Sequence, residues 1–156
     1  MRLVEILAED RVVVARSLPN KSAALGAVAQ LLAQGAGVAT AAVRAVIEER
    51  EALQSTGIGD GVAIPHGFLA ELGVQVAALV IAPDGVPFDA IDGRPARIIL
   101  GVVGPKKGMH AQVEHLRILA RVSKVLREPG LRDKIVGAPS AAAAFTLIRD
   151  ADARAP

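Results

Sequence analysis

The sequence predicts a single α/β domain with a mixed, roughly five-stranded β-sheet flanked by helices on both faces, for three reasons. Two runs, Val74–Ala82 and Arg97–Val103, are almost continuously apolar, which is typical of strands that are covered on both faces. Segments with helical patterns lie before and after these runs. The chain has 156 residues and a hydrophobic share of 52%, which suits one domain around a single core.

The first third of the chain predicts three helices and one strand. Three consecutive valines favour the strand, and either Asn20 or Ser22 is placed to cap the helix that follows it. That helix is expected to end at Gly35–Gly37, and Thr40 is expected to cap the next one. The predicted elements are the helix Leu3–Ala8, the strand Arg11–Ala15 and the helices Ala23–Gln34 and Ala41–Ala52.

The glycine-rich segment Ser55–Gly67 predicts a loop, a very short strand and a turn. Further turns are indicated by Pro83–Gly85 and Asp92–Pro95, which lie between the two apolar runs. The rest of the chain predicts three helices, and residues 151–156 are expected to form a frayed tail after a domain of residues 1–150. These helices are Ala111–Arg127, Leu131–Val136 and Ser140–Arg149.

The composition excludes several classes of function. Cysteine is absent, so disulfides, thiolate metal sites and cysteine nucleophiles are ruled out. Tryptophan and tyrosine are also absent, and a formal net charge of +2 gives no dedicated basic face, so no nucleic-acid partner is expected. The N-terminus has no secretory pattern, and no apolar run reaches the length of about 18 residues that indicates a membrane span. We therefore expect a cytoplasmic protein that does not insert into a membrane.

His66 stands in an unusual local setting. Pro65 restricts Ile64 to an extended conformation, and Gly67 permits a sharp exit of the backbone, so the imidazole is expected at a strand end beside a cleft. Side chains on loops that a rigid scaffold positions often carry function. A turn histidine without any chemical role would give the same pattern, and the residues alone do not separate these two interpretations.

No cofactor and no metal are expected. The glycines between Ser55 and Gly67 lack the strand–loop–helix order of a dinucleotide fingerprint and the Gly-Lys-Ser/Thr of a P-loop. They favour close backbone packing around His66, with amide groups free to meet an anion. His110 and His115 are five residues apart and do not share a helix face, so no zinc pair is predicted. His115 lies beside an apolar helix face, as a histidine packed at the edge of the core would.

Four stretches of the sequence resemble one known family. They are Arg50-Glu51, Ser55–Gly67 (STGIGDGVAIPHG), Phe88–Gly93 (FDAIDG), and His115-Leu116 with Leu119-Ala120 one turn later. Together they are similar to the enzyme IIA domains of the phosphoenolpyruvate-dependent phosphotransferase system, of the mannitol/fructose class. The resemblance extends from Leu7 to about Ile148. A chain of this length without a transporter or second carrier domain is most similar to the nitrogen-regulatory branch of that class.

The resemblance implies an activity and roles for three residues, and the chemistry of the segment adds Ser55 as a fourth. His66 corresponds to the histidine that accepts a phosphoryl group from the phosphohistidine of an HPr/NPr-type phosphocarrier protein. His115 corresponds to a second histidine that lies close to the first and hydrogen-bonds the phosphoryl group, and Arg50 suits pairing with the phosphoryl oxygens. Ser55 and the amides of the glycine loop are expected to supply further donors. The family requires neither a metal nor an organic cofactor for this transfer.

Asp60 departs from the family pattern, which commonly has asparagine at this position. A carboxylate that faced the site would repel an incoming phosphoryl group, because both carry negative charge. Asp60 is therefore expected to point away from the site or to tune the stability of the phosphohistidine.

The resemblance leaves the output of the protein open. The first interpretation is a phosphocarrier that regulates or phosphorylates a downstream kinase, transporter or IIB domain, in nitrogen, potassium or carbon regulation. The alternatives are a sugar-transport IIA that donates to a fructose- or mannitol-type IIB, and a docking module without phosphotransfer. A hydrolase that uses His66 as a general base would lack a Ser or Cys nucleophile motif. The oligomeric state also stays open, with a homodimer among the possibilities.

Overall fold

A computed structural model describes residues 1–156 as a six-stranded sheet between two layers of helices. The strands are β1 (Val12–Val14), β2 (Gly57–Gly59), β3 (Val62–Ala63), β4 (His66–Leu69), β5 (Val76–Val86) and β6 (Ala96–Pro105). The helices are α1 (Lys21–Ala36), α2 (Thr40–Leu53), α3 (Met109–Leu126), α4 (Leu131–Val136) and α5 (Ala141–Arg154). A short 3-10 helix, Leu3–Glu5, replaces the helix predicted over Leu3–Ala8, and a second one, Glu9–Arg11, leads into β1. None of the helices combines the length and the apolar character that crossing a membrane requires.

β5 and β6 form the centre of the sheet as a long antiparallel pair, in which Leu79 lies opposite Leu100. β1 pairs in parallel with β5 on its outer edge. β3 and β4 pair one after the other, both in parallel, with β6, and β2 completes the sheet antiparallel to β3. The predicted α/β class, with a mixed sheet and helices on both faces, is confirmed.

Alternate residues of the two central strands point into two separate cores. Leu79, Ile81 and Leu100 pack with the N-terminal segment and with α3, α4 and α5 on one face of the sheet. Val80 and Ile99 pack with α1 and α2 on the other face. Both faces are therefore covered, which explains why the two strands read as almost continuous apolar runs in the sequence.

One of the two predicted helix caps is present, and Ser140 forms a further cap that the sequence analysis does not include. Asn20 caps α1 by accepting a hydrogen bond from an amide of its first turn at 2.8 Å, and Ser140 caps α5 in the same way at 3.1 Å. Thr40 is the first residue of α2 and its side chain makes no capping bond, so the role predicted for it is wrong. The turn predicted at Pro83–Gly85 is also wrong, because β5 continues through it to Val86 with a shift in register.

The end of the chain is helical rather than frayed, which corrects the prediction for residues 151–156. α5 continues to Arg154. The buried carboxylate of Asp152 accepts hydrogen bonds from the Leu3 amide at 2.6 Å and from Nε of Arg121 at 2.5 Å. Because this carboxylate joins the N-terminal segment, α3 and α5, it holds the last turn of the chain in place.

The fold brings His66 close to the beginning of α3. His66 is the first residue of β4 and lies opposite Val102 of β6. β6 ends at Pro105 and the chain continues directly into α3, so α3 begins at the same edge of the sheet. α2 covers β4 so closely that a Cβ atom on Gly67 would lie 3.0 Å from the side chain of Val46. The site therefore lies where α2, β4 and α3 meet.

Replacing Asp152 with alanine is expected to destabilise the fold by about 3 kcal/mol, because the Leu3 amide and the Arg121 guanidinium lose a buried acceptor. Urea unfolding followed by circular dichroism measures the loss. Asp150→Ala is the matched control on the same helix, since its half-exposed carboxylate meets only Arg149. It should change the free energy of unfolding by less than about 0.5 kcal/mol. Equal losses in the two variants would contradict the role of Asp152.

Candidate active site

A hydrogen bond to the backbone holds the His66 ring. Its Nδ1 lies 2.7 Å from the carbonyl oxygen of Ile64. A carbonyl oxygen only accepts, so Nδ1 is the donor and carries the ring hydrogen, and Nε2 keeps its lone pair. Pro65 favours this arrangement because it restricts Ile64 to extended conformations. The local sequence therefore sets the tautomer of His66 through its own backbone.

The His66 side chain lines an open cavity of about 480 Å³. The other lining residues are Val46, Glu49, Arg50, Leu53, Gly67, Phe68, Lys106 and Gln112. Arg50 and Lys106 are cationic, and Glu49 is the one acidic side chain among them, so the cavity favours an anion. Arg50 lies in the last turn of α2, where its Nη1 donates to the carbonyl oxygen of Gln54 at 2.8 Å. Its Nη2 makes no hydrogen bond within the protein and is available to a ligand.

His115 of α3 lies next to His66 and is almost completely buried, with 1% of its surface exposed. The centroids of the two imidazole rings are 5.7 Å apart, and the Phe68 ring lies 4.5 Å from that of His115. Nδ1 of His115 is 2.8 Å from Oε1 of Gln75, while its Nε2 has no hydrogen-bond partner. A buried polar atom without a partner is uncommon in proteins, and here it lies beside a candidate nucleophile.

Both histidines are neutral at pH 7. Burial is the main cause that lowers the pKa of His115, to about 4, and the neighbouring His66 adds to the effect. Burial also lowers the pKa of His66 below its usual 6.5; the hydrogen bond to Ile64 opposes this shift, Arg50 assists it and Glu51 opposes it. A neutral His66 offers the lone pair of Nε2 to an electrophile. The arrangement therefore suits nucleophilic chemistry on an anionic group.

A buried acid next to Arg50 fixes the end of α2. The carboxylate of Glu51 accepts hydrogen bonds from the amide of Thr56, at 2.9 Å, and from its hydroxyl, and it pairs with Nζ of Lys21 at 2.7 Å. These contacts tie α2 to the segment before β2 and to the beginning of α1. Glu51 has no predicted role, although an acid near a helix end that is followed five residues later by threonine is a signal for such a contact.

Ser55 does not line the cavity of His66, so the structure gives no support to the expectation that it supplies a phosphoryl donor. Its hydroxyl donates to the carbonyl oxygen of Phe88 and accepts from the Gly57 amide at 3.0 Å. It lines a different cavity, together with Asp89 and Ile91. The hydroxyl stabilises the loop before β2 instead of facing His66.

Asp60 points away from His66, which is one of the two outcomes expected for it. Its carboxylate is 3.9 Å from Arg94 and lines a cavity that His66 does not reach. Its amide donates to Oδ2 of Asp92 at 2.9 Å. Because the amides of Gly57 and Asp60 already have partners, the glycine loop offers fewer donors to an anion than the sequence suggests.

Several residues of the site carry no signal in the sequence. Gln75 and Phe68 contact His115. Lys106 and Gln112 line the cavity of His66, beside the connection from β6 to α3. No local pattern reveals such contacts, because they depend on strand register. His110 lies apart from the site, is exposed and lies 3.7 Å from Glu114.

An α/β domain with a neutral histidine, a second buried histidine and cationic groups around one cavity has the groups that carrying a phosphoryl group on histidine requires. The family model described as "Phosphoenolpyruvate-dependent sugar phosphotransferase system, EIIA 2" matches residues 5–151. The chain belongs to this family and is a phosphocarrier component of the phosphotransferase system.

The relatives of the chain include both regulatory and sugar-specific proteins. The nitrogen regulatory protein of Bradyrhizobium diazoefficiens is 28% identical over 148 residues, which cover 95% of each chain. The mannitol-specific phosphotransferase enzyme IIA component of Staphylococcus aureus is 30% identical over 152 residues, which cover 96% of this chain and 99% of that protein.

A solved structure gives the same assignment. The crystal structure of the nitrogen regulatory protein IIA-Ntr from Neisseria meningitidis superposes with a TM-score of 0.84 and 28% identity, over 94% of this chain and 98% of that one. The family and class predicted from the sequence, and the similarity to the nitrogen-regulatory branch, are confirmed.

The buried, neutral His115 is expected to make the stability of the protein depend on pH. Because its pKa is about 4 in the folded state and 6.5 when unfolded, acid protonates the unfolded chain first. The folded state therefore has its full stability above the pKa that His115 has in the unfolded chain, and it loses stability as the pH falls from 6.5 toward about 4.

Urea titrations at about pH 8 and about pH 5 measure this effect. Between these two pH values the free energy of unfolding should fall by about 2 kcal/mol more in wild type than in His115→Asn. The asparagine does not titrate and can still donate to Gln75. His110→Ala is the control, because its exposed ring should leave the wild-type loss unchanged. Identical pH profiles for wild type and His115→Asn would contradict a lowered pKa at His115.

Proposed function

We propose that the protein is a cytoplasmic phosphocarrier that accepts a phosphoryl group on Nε2 of His66 from the phosphohistidine of an HPr/NPr-type protein. The observation that supports this assignment most directly is the hydrogen bond between Nδ1 of His66 and the Ile64 carbonyl. It leaves Nε2 as the nucleophilic nitrogen, in a cavity lined by Arg50 and Lys106.

The transfer step balances without a cofactor. The lone pair on Nε2 of His66 forms the new P–N bond while the P–N bond of the donor breaks, and that electron pair returns to the ring nitrogen of the donor. The incoming group brings negative charge, which Arg50 and Lys106 offset. The hydrogen on Nδ1 of His66 stays in place, because the Ile64 carbonyl stabilises the positive charge that the ring acquires.

The proposal also gives His115 a role, as a hydrogen-bond donor to the phosphoryl group. In the free protein its Nε2 has no partner and burial keeps the ring neutral. A phosphoryl group on His66 would place negative charge close to this ring and raise its pKa, so His115 gains a proton and donates from Nε2 to a phosphoryl oxygen. The second histidine thus supplies positive charge only when the phosphoryl group is present.

We propose regulation of a downstream kinase or transporter as the output, which the similarity to nitrogen regulatory proteins over nearly the whole chain supports. A sugar-transport role, with transfer to a fructose- or mannitol-type IIB domain, is the second candidate. It is supported by the 30% identity to a mannitol-specific enzyme IIA component across 96% of this chain. The two outputs share the same chemistry at His66 and differ in the acceptor.

His66→Ala is expected to abolish phosphorylation without unfolding the chain, because Nε2 is the acceptor and the ring lies at the wall of an open cavity. Intact mass after incubation with phosphoenolpyruvate, enzyme I and an HPr-type carrier is the measurement. Wild type and His110→Ala should gain one acid-labile phosphoryl group, since His110 is exposed and does not line the cavity.

Two results would oppose this assignment of His66. A variant that retains its fold and still gains the phosphoryl group would show that another residue is the acceptor. No gain in wild type with several cognate carriers would favour a docking module without phosphotransfer.

His115→Ala is expected to remain an acceptor but to react about 10- to 100-fold more slowly, because one donor to the phosphoryl group is lost. Rapid-quench kinetics with an excess of phosphorylated carrier measure the transfer rate. His110→Ala again serves as the histidine control. A wild-type rate in His115→Ala would remove His115 from the proposed site.

A further inference from the structure

We propose that Gln75 is a positioning residue that holds His115 in the tautomer with its hydrogen on Nδ1 and none on Nε2. The effect of this tautomer on phosphoryl transfer rests on the proposed function, whereas the tautomer itself does not. Gln75 lies just before β5, is 4% exposed and contacts α3 through two hydrogen bonds. It touches neither His66 nor the cavity, so it acts only through His115.

The orientation of the Gln75 amide follows from its two partners. Its nitrogen, Nε2, lies 3.3 Å from the carbonyl oxygen of Ala111, which only accepts. Oε1 therefore faces Nδ1 of His115 at 2.8 Å, and an amide oxygen also only accepts. Nδ1 of His115 must be the donor, and a neutral ring then carries no hydrogen on Nε2.

A glycine in β6 makes room for this amide. A Cβ atom on Gly104 would lie 2.1 Å from Oε1 of Gln75 and 2.4 Å from its Nε2, so a larger residue here would displace the amide. Gly104 also lies opposite Phe68 in the sheet, and the Phe68 ring contacts that of His115. The pairing of β4 with β6 therefore places Gly104 and Phe68 so that both the Gln75 amide and the Phe68 ring can pack against His115.

The tautomer decides how His115 can act. With hydrogen on Nε2, a neutral His115 would donate at all times, and two acceptors would face each other at Gln75. With hydrogen on Nδ1, Nε2 donates only after the ring has gained a proton. His66 on β4 is the titratable group whose charge acts on His115, while Arg50 of α2 and Lys106 line the cavity. Gln75 thus makes donation by His115 depend on proton uptake instead of on a fixed hydrogen.

Long-range proton–nitrogen NMR spectra of protein labelled with ¹⁵N-histidine report the tautomer of His115 directly. Gln75→Met keeps the volume of the side chain but removes both hydrogen bonds, and it should shift the ring toward the Nε2-hydrogen form. Gln75→Glu retains an acceptor and should keep the hydrogen on Nδ1, while its negative charge favours a second hydrogen on Nε2. Gln30→Met, at an exposed position of α1, is the matched control and should match wild type. If His115 keeps its Nδ1 hydrogen in Gln75→Met, the proposal is overturned.

Transfer kinetics with phosphorylated HPr-type carrier supply the second measurement. Gln75→Met is expected to slow transfer to His66 by about tenfold or more, as removal of an orienting partner does in metal sites, and Gln30→Met should keep the wild-type rate. A shifted tautomer with an unchanged rate would refute the role of Gln75 in transfer. If no variant, wild type included, accepts a phosphoryl group, the proposed function fails, and the NMR result alone decides whether Gln75 sets the tautomer.

Discussion

The antiparallel pairing of β5 and β6 is the constraint on which the rest of the structure depends. β1 pairs with the outer edge of β5, while β3 and β4 follow one another along β6. Because Leu79 and Val80 point into different cores, a slip of one residue would exchange the two apolar layers, so the register is tightly specified. The same register fixes the relative positions of the two histidines, since β6 pairs with His66 and leads into the helix that carries His115.

The two histidines reach their states by different physical means. The tautomer of His66 is fixed by a carbonyl two residues before it in the chain, so this arrangement depends only on the local sequence around Pro65. The state of His115 comes from burial and from the side chain of Gln75, which belongs to a different part of the chain. The tautomer of His66 is therefore fixed by local sequence, whereas the state of His115 is fixed by tertiary structure, although the two ring centroids are only 5.7 Å apart.

This difference explains how much the sequence alone could predict. The class of fold, the two buried strands and the helix Leu131–Val136 follow from patterns that neighbouring residues carry, and His66 stands out beside a proline and a glycine. The partner of His115, the real contacts of Ser55 and the helical chain end depend on contacts between distant segments. Arg50 was indicated by resemblance to a family, because nothing in its local pattern separates it from other surface arginines.

A carrier site must accept a strongly negative group and later release it, which limits how much permanent positive charge can surround the acceptor nitrogen. In this cavity the fixed cations are Arg50 and Lys106, partly offset by Glu49, and neither histidine is charged at pH 7. A protonated His115 in the free protein would carry an uncompensated buried charge, which burial opposes. Its cost falls only when a phosphoryl group lies nearby. In the proposed mechanism, burial of the second histidine therefore adjusts the charge of the site to the group that it holds. The phosphorylated state would be stabilised, and the free state would carry no extra positive charge that attracts other anions.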